Sequence, residues 1–277
     1  MITRLASSLL QRYRGRPSAP QKRVQNPWVE NLPEGYSPIS VVEPSDIVIA
    51  GYPKSGNTWF QVLIAGLLHG VSPVYGPDSV VQDLVPDVHV RKFYRRYLTP
   101  TFFKSHELPR PEYRRAVVLL RDGRDAMVSY QHFLQALSAE PVSLKEMLET
   151  GRGLYPCRWH EHVEAWLKNP YSTDCLTVKY EDLKANTVRE LQRVCEFSGI
   201  SRPIEYIQAV AAQSSFEQMK EREKRLGWED PAAWPKDKPF IRRGTVGSYR
   251  DEFPQDCLDI FMAQSTETLR KCGYLDA

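Results

Sequence analysis

Between Gly51 and Trp59 the chain reads Gly51-Tyr52-Pro53-Lys54-Ser55-Gly56-Asn57-Thr58-Trp59. Two glycines five residues apart let a backbone curl until successive N–H groups point inward. A helix opening at Thr58 adds its unpaired first-turn donors and the positive end of its dipole. Such a loop is a cradle for phosphate or sulfate, and Lys54, Ser55 and Thr58 add a cation and two hydroxyls. It departs from the nucleoside-triphosphate loop GxxxxGK[ST]: Asn57 stands where that lysine belongs, and the lysine lies inside, at 54. A second cluster, Arg121-Asp122-Gly123-Arg124-Asp125-Ala126-Met127-Val128-Ser129-Tyr130, follows an apolar run. An arginine at a strand's carboxyl end can grip a phosphate with two parallel bonds, and Ser129 falls in the next helix's first turns. A surface Arg/Asp ladder capping a helix would read the same way. Lys104-Ser105-His106 sets an imidazole beside an ammonium. An imidazole, with an ordinary pKa near ~6.5, accepts protons at neutral pH. His69, His89, His132, His160 and His162 are rivals, but only His106 sits at a strand end next to a lysine.

The elements that must hold these groups are legible in outline. Apolar, β-branched runs at 46–51, 102–104, 116–120 and 175–179 read as short buried strands. Helical spacing follows at 58–68, 124–136, 143–150, 157–168, 180–197, 205–213, 216–223 and 255–271. Strands alternating with helices predict an α/β fold: a single domain with a central parallel sheet flanked by helices, of the P-loop nucleotide-binding type. The strand at 116–120 ends in Arg121, where a nucleotide hydrolase often carries a magnesium-binding Asp; Asp122 comes one residue late. The stretch 225–246 has no regular period and reads as a lid or binding loop.

Composition bounds the rest. The chain has 277 residues, 42% hydrophobic and 26% charged, with a net charge of +3, which suits a folded protein with a small anionic ligand better than one that coats nucleic acid. Five scattered cysteines, without a CxxC pair or zinc spacing, predict reduced thiols, no metal and a cytoplasmic protein. No apolar run approaches the ~20 residues of a membrane span. Residues 1–25 read as a basic flexible tail that makes at most weak membrane-surface contact, and 26–277 as the folded domain.

Tyr52 to Trp59 resembles the YPKSGTTW signature of cytosolic-type sulfotransferases, departing at Asn57. Arg121 to Ser129 resembles the family's RxxRDxxVS motif, and Ile241 to Tyr249 its RKGxxGDW segment, with Arg243 for Lys and Ser248-Tyr249 for Asp-Trp. Ser214 to Lys220 is similar to TSFxxMK, and Lys104-Ser105-His106 to KTH, with Glu107 inserted before Leu108-Pro109. The resemblance implies 3'-phosphoadenosine 5'-phosphosulfate (PAPS) as donor and 3'-phosphoadenosine 5'-phosphate (PAP) as product. It implies a 3'-phosphate held by Arg121, Ser129, Arg242, Arg243 and the Gly244 backbone. Ser214, Phe216, Trp59 and Tyr180 would address the adenine, with Trp59 and Phe216 stacked on its faces. Arg124 and Asp125 would serve structure, through helix capping and a local ion pair.

On this reading His106 is the general base, Lys54 with the loop residues Ser55, Gly56, Asn57 and Thr58 holds the leaving 5'-phosphate, and Lys104 neutralises the sulfuryl oxygens. The acceptor is a small molecule carrying a hydroxyl or an amine. The six aromatics Tyr94, Tyr97, Phe102, Phe103, Tyr155 and Trp159 would line its pocket or belong to the core. A P-loop kinase and a non-catalytic nucleotide-binding module are the competing readings. No KTVE-like dimer motif is found, which leaves the oligomeric state open.

Overall fold

The computed structural model describes residues 32–138, 140–227, 234–235 and 238–276. The basic tail expected over 1–25 and part of the irregular 225–246 stretch lie outside them.

Four short strands form one parallel sheet: β2 (Ile47–Gly51), β4 (Phe102–Ser105), β5 (Arg115–Leu120) and β6 (Asp174–Lys179), in the order β4-β2-β5-β6. Successive strand residues face opposite ways, and here both faces are covered, which is why the central strands β2 and β5 read as nearly continuous apolar runs. Val48, Ala50, Ala116, Val118 and Leu120 pack into one core. Ile47, Ile49, Val117, Leu119 and Val178 pack into the other. The helices α3 (Gly123–Leu137), α4 (Leu144–Thr150), α5 (Trp159–Lys168) and α11 (Gln255–Lys271) cover the first face. The second is covered by α1 (Asn57–His69) with α7 (Thr187–Ser198) and α8 (Ile204–Gln213). The predicted single α/β domain is therefore the one observed.

The order of strands decides where a ligand goes. From β2 the chain crosses to β4 on one side, then returns to β5 on the other. The carboxyl ends of β2, β4 and β5 consequently open onto a topological switch point, where a crevice is unavoidable. Gly51, Ser105 and Leu120 end those three strands. The loops that follow begin with the three residue clusters singled out above.

Sequence periodicity misses several pieces. The helix expected over 180–197 is two, α6 (Tyr180–Ala185) and α7, because the Asn186 side chain accepts the Arg189 N–H and starts the helix afresh. An antiparallel ribbon of β1 (Tyr36–Pro38) with β3 (Phe93–Arg95), and the helices α2 (Asp78–Leu84) and α10 (Tyr249–Glu252), are also unforeseen. Three to seven residues carry too little repeat to register. The helix α9 (Phe216–Leu226) runs three residues beyond its expected end.

Candidate active site

The loop after β2 is braced from inside. Gly56 takes φ 90° at the amino end of α1, and a Cβ there would lie 2.8 Å from the Tyr180 ring. Asn57, the departure from the familiar motif, donates its side-chain amide to the Tyr52 carbonyl at 2.9 Å and so closes the loop. Lys54 is held at φ 70°, a left-handed conformation that costs a non-glycine residue about 1–3 kcal/mol. Arg121 secures that turn, its guanidinium donating to the Lys54 carbonyl at 2.8 Å while lying over the Tyr180 ring. The Lys54 ammonium rests over the rings of Phe240 and Phe133, 4.0 and 4.7 Å from their centres. Burial, then the neighbouring cations Arg121 and Lys104, push its pKa down to about 7.

Lys104 and His106 meet this loop at the end of β4. The His106 Nδ1 lies 2.7 Å from the Gly51 carbonyl oxygen. A carbonyl only accepts, so Nδ1 carries the proton and Nε2 keeps the lone pair. Burial, reinforced by Lys104 and His89, pushes the imidazole down to about 3. Residues 86–88 run alongside β4 as a further edge, with Lys104 N–H donating to Pro86 O and Val88 N–H to Lys104 O. This brings in Asp87, which accepts a 2.7 Å bond from the Lys104 ammonium. Burial would raise that carboxyl, but Lys104, His89 and His106 together outweigh it and hold it at about 2. It also brings His89 parallel to His106, with ring centres 5.4 Å apart. The inserted Glu107 is absorbed locally, accepting bonds from Arg110 and Tyr113.

The remaining arginines come from 241–249. Asp125 is fully buried and accepts the Gly247 N–H at 2.7 Å and the Tyr249 N–H at 2.9 Å, fastening this segment to α3. Its role is structural, as expected, but over a longer range than a local ion pair. The local pair is Arg124 with Asp122, which also caps α3. Gly244, at φ 59°, faces the Phe216 ring and accepts from Tyr180 and Lys184. Arg242 and Arg243 both bind Glu252, a partner that the sequence reading did not foresee.

One cavity of about 530 Å³ gathers these groups. Every residue assigned from the sequence to the base or to the nucleotide lines it except Ser55 and Ser214. Ser214 is fully buried behind the wall, its carbonyl accepting the Trp59 indole N–H at 2.7 Å, and Ser215 lines the cavity instead. None of the six aromatics offered for an acceptor pocket lines it: Tyr94, Phe102, Phe103 and Trp159 are core, Tyr97 is exposed, and Tyr155 stands edge-on to His89. Ser55 Oγ, Asn57 Oδ1, Arg121 Nε and Ser214 Oγ are buried without a hydrogen-bond partner. A buried polar group left so costs about 1–3 kcal/mol. An anion in the loop would offer acceptors to Ser55 Oγ and Arg121 Nε, so the residues fit a phosphorylated nucleotide. Among the described residues there is no group of His, Cys, Asp and Glu able to hold a metal, and no helix long and apolar enough to cross a membrane.

Known proteins resemble this chain over most of its length. Mouse sulfotransferase 1E1 is 25% identical over 253 residues, covering 84% of this chain and 86% of its own. Rat sulfotransferase 1A1 is 27% identical over 253 residues, covering 83% and 87%. Among solved structures, mouse sulfotransferase SULT7A1 complexed with PAP superposes with a TM-score of 0.62 at 21% identity, covering 83% and 86%. Retinol dehydratase in complex with androsterone and PAP gives 0.62 at 21%, covering 83% and 82%; at such identity these two speak for the fold. The sulfotransferase domain model matches residues 44–273, and the chain belongs to that family.

Proposed function

We propose that this cavity binds PAPS and passes its sulfuryl group to a hydroxyl or amine of a small-molecule acceptor, with His106 as general base. Family membership supports the sulfuryl transfer, and the observation that carries the assignment of roles is the 2.7 Å contact between His106 Nδ1 and Gly51 O. It ties the base to the residue that opens the phosphate loop and leaves Nε2 to take the acceptor's proton. The acceptor oxygen or nitrogen then bonds to sulfur as the bond from sulfur to the 5'-phosphate oxygen breaks, and PAP leaves. Lys54 and the loop amides meet the charge growing on that phosphate, and Lys104 meets the sulfuryl oxygens. These are positioning and electrostatic contributions, sufficient for an in-line transfer.

Arg121, Ser129, Arg242, Arg243 and the Gly244 backbone are the proposed 3'-phosphate site. Trp59, Phe216 and Tyr180 are the proposed adenine site. Retinol dehydratase is known in complex with PAP and androsterone and in complex with PAP and retinol, which favours a lipophilic alcohol as one acceptor class. A kinase would want an acid at the end of β5 facing its metal, but Asp122 there caps α3 and pairs with Arg124.

The test is transfer from radiolabelled PAPS to 4-nitrophenol, androsterone, retinol and tyramine. The wild type labels at least one of these. The His106→Ala variant labels none while binding PAP as the wild type does; retained turnover in that variant would overturn the assignment of the base.

A further inference from the structure

His89 lies seventeen residues before His106 in the chain and has no evident relation to it in sequence. In the fold, Asp87 bridges to Lys104 on β4 and the chain then turns, the Val90 and Arg91 N–H groups donating to the Asp87 carbonyl, so that Asp87 meets Lys104 and His89 meets His106. Three contacts then follow. Asp87 accepts the His89 backbone N–H at 2.8 Å and the Lys104 ammonium at 2.7 Å. The His89 Nε2 accepts the backbone N–H of His106 at 2.9 Å. The two imidazoles lie parallel, with an interplanar angle of 8°.

The second contact is the informative one. β4 ends at Ser105, so the amide of His106 is the first past the strand, and its hydrogen bond goes to an imidazole instead of to a neighbouring strand. A nitrogen that accepts an N–H carries no proton, which assigns His89 the neutral tautomer with its hydrogen on Nδ1. The Nδ1 that carries this hydrogen lies 3.5 Å from the Tyr155 hydroxyl oxygen. Two contacts therefore define the base. The Gly51 carbonyl fixes which nitrogen of His106 is protonated, and the His89 lone pair fixes where its backbone and ring plane sit.

We propose that His89 is a positioning residue for sulfuryl transfer, acting through the lone pair of its Nε2 on the His106 amide. The proposal rests on the reading of His106 as general base. A displacement of about 1 Å at a reacting group costs on the order of a hundredfold in rate. The loss belongs in kcat, because the proposed nucleotide contacts on the loop, β5 and α9 do not include His89.

The experiment compares His89→Phe, which keeps a flat ring without the acceptor, with His89→Gln, whose amide oxygen can accept the same N–H. Transfer is followed to whichever of the four acceptors above is labelled, and PAP binding is measured in parallel. The Phe variant is expected to lose about ten- to a hundredfold in kcat, with PAP affinity and acceptor KM within twofold. The Gln variant is expected to recover most of that rate. Wild-type kcat in the Phe variant, or an equal loss in both, would overturn the proposal. Turnover retained by His106→Ala would instead overturn the base assignment. A measurement on the unmodified protein is independent of folding and of the acceptor: nitrogen-15 spectra of its histidines at pH 7 are expected to show His89 with Nδ1 protonated and Nε2 bare. A protonated Nε2 on His89 would likewise overturn it.

Discussion

Arg242 grips Glu252 at two points, Nη1 to Oε2 at 2.5 Å and Nη2 to Oε1 at 3.2 Å. Arg243 and His132 reach the same carboxylate, each at 3.0 Å. Three cationic or cation-forming groups on one carboxylate hold the chain on either side of the turn at Gly247. Burial works to raise the Glu252 carboxyl, but Arg242, His132 and Arg243 outweigh it and hold it below the usual carboxylate range. A carboxyl depressed in the folded state stabilises above its unfolded pKa and stops doing so as pH falls through the folded one.

Glu252→Gln is therefore expected to melt below the wild type at pH 7. The gap should close as pH falls below about 4.3, the ordinary Glu value. The cluster is partly exposed, so each pair is worth about 0–1 kcal/mol, and the gap amounts to about 2–4 °C in a chain of this size. Thermal melts across pH would decide it. A gap of constant size from pH 7 to pH 3 would mean that the charge on Glu252 contributes nothing.

Arg121 gives a prediction about selectivity. Its Nη1 is spent on the Lys54 carbonyl, but its Nε is buried without a partner. If that face reads the 3'-phosphate, Arg121→Ala removes a charged hydrogen bond worth about 1.5–3 kcal/mol. PAP binding should weaken by about ten- to a hundredfold, and binding of adenosine 5'-phosphate, which lacks the 3'-phosphate, far less. Calorimetric titration with both nucleotides checks this. Equal losses would show that Arg121 serves only to brace the loop.

Much of this was legible in the sequence, for reasons that also explain what was not. The phosphate loop, the end of β4 and the end of β5 are local signals: a few adjacent residues carry both the chemistry and the strand end that positions it. Their convergence follows from strand order alone. Asp87 and His89 could not be read, because they lie in a segment without periodicity, and only its pairing against Lys104 brings them to the base. Glu252 was hidden in a four-residue helix. Ser214, assigned by resemblance to the adenine, is fully buried, and its carbonyl accepts the Trp59 indole N–H, a long-range contact that the local motif does not show. The six aromatics stayed open between pocket and core because large apolar residues suit both, and Tyr94, Phe102, Phe103 and Trp159 went to the core.

Gly244 tests how closely the chain must approach Phe216. A Cβ at this position would lie 2.5 Å from the ring, and φ 59° would by itself cost about 1–2 kcal/mol. Gly244→Ala must shift Phe216 or the 241–245 backbone, and both line the cavity. PAP binding is expected to weaken about tenfold, with kcat at saturating PAPS nearly unchanged because His106 and Lys104 are untouched. An unaltered dissociation constant would show that neither element touches the nucleotide.

The state of Lys54 makes the sharpest claim on solution behaviour. With a pKa near 7 it is largely neutral at pH 8 and largely charged at pH 6. Its low value comes from burial among like charges, and an anion seated in the loop reverses the balance by favouring the ammonium. Binding of PAP should therefore draw a proton onto Lys54, roughly nine-tenths of one at pH 8 and about a tenth at pH 6 for a free pKa of 7. Calorimetric titrations in buffers of different ionisation enthalpy measure that uptake as the slope of binding enthalpy against buffer enthalpy. The slope should be steep at pH 8 and shallow at pH 6, and the steep part should vanish in Lys54→Met. That variant keeps an unbranched side chain, one atom shorter, against Phe133 and Phe240 but cannot take the proton. Equal slopes at the two pH values would mean that Lys54 is already charged before the nucleotide arrives, and the aromatic cradle would then hold an ammonium throughout.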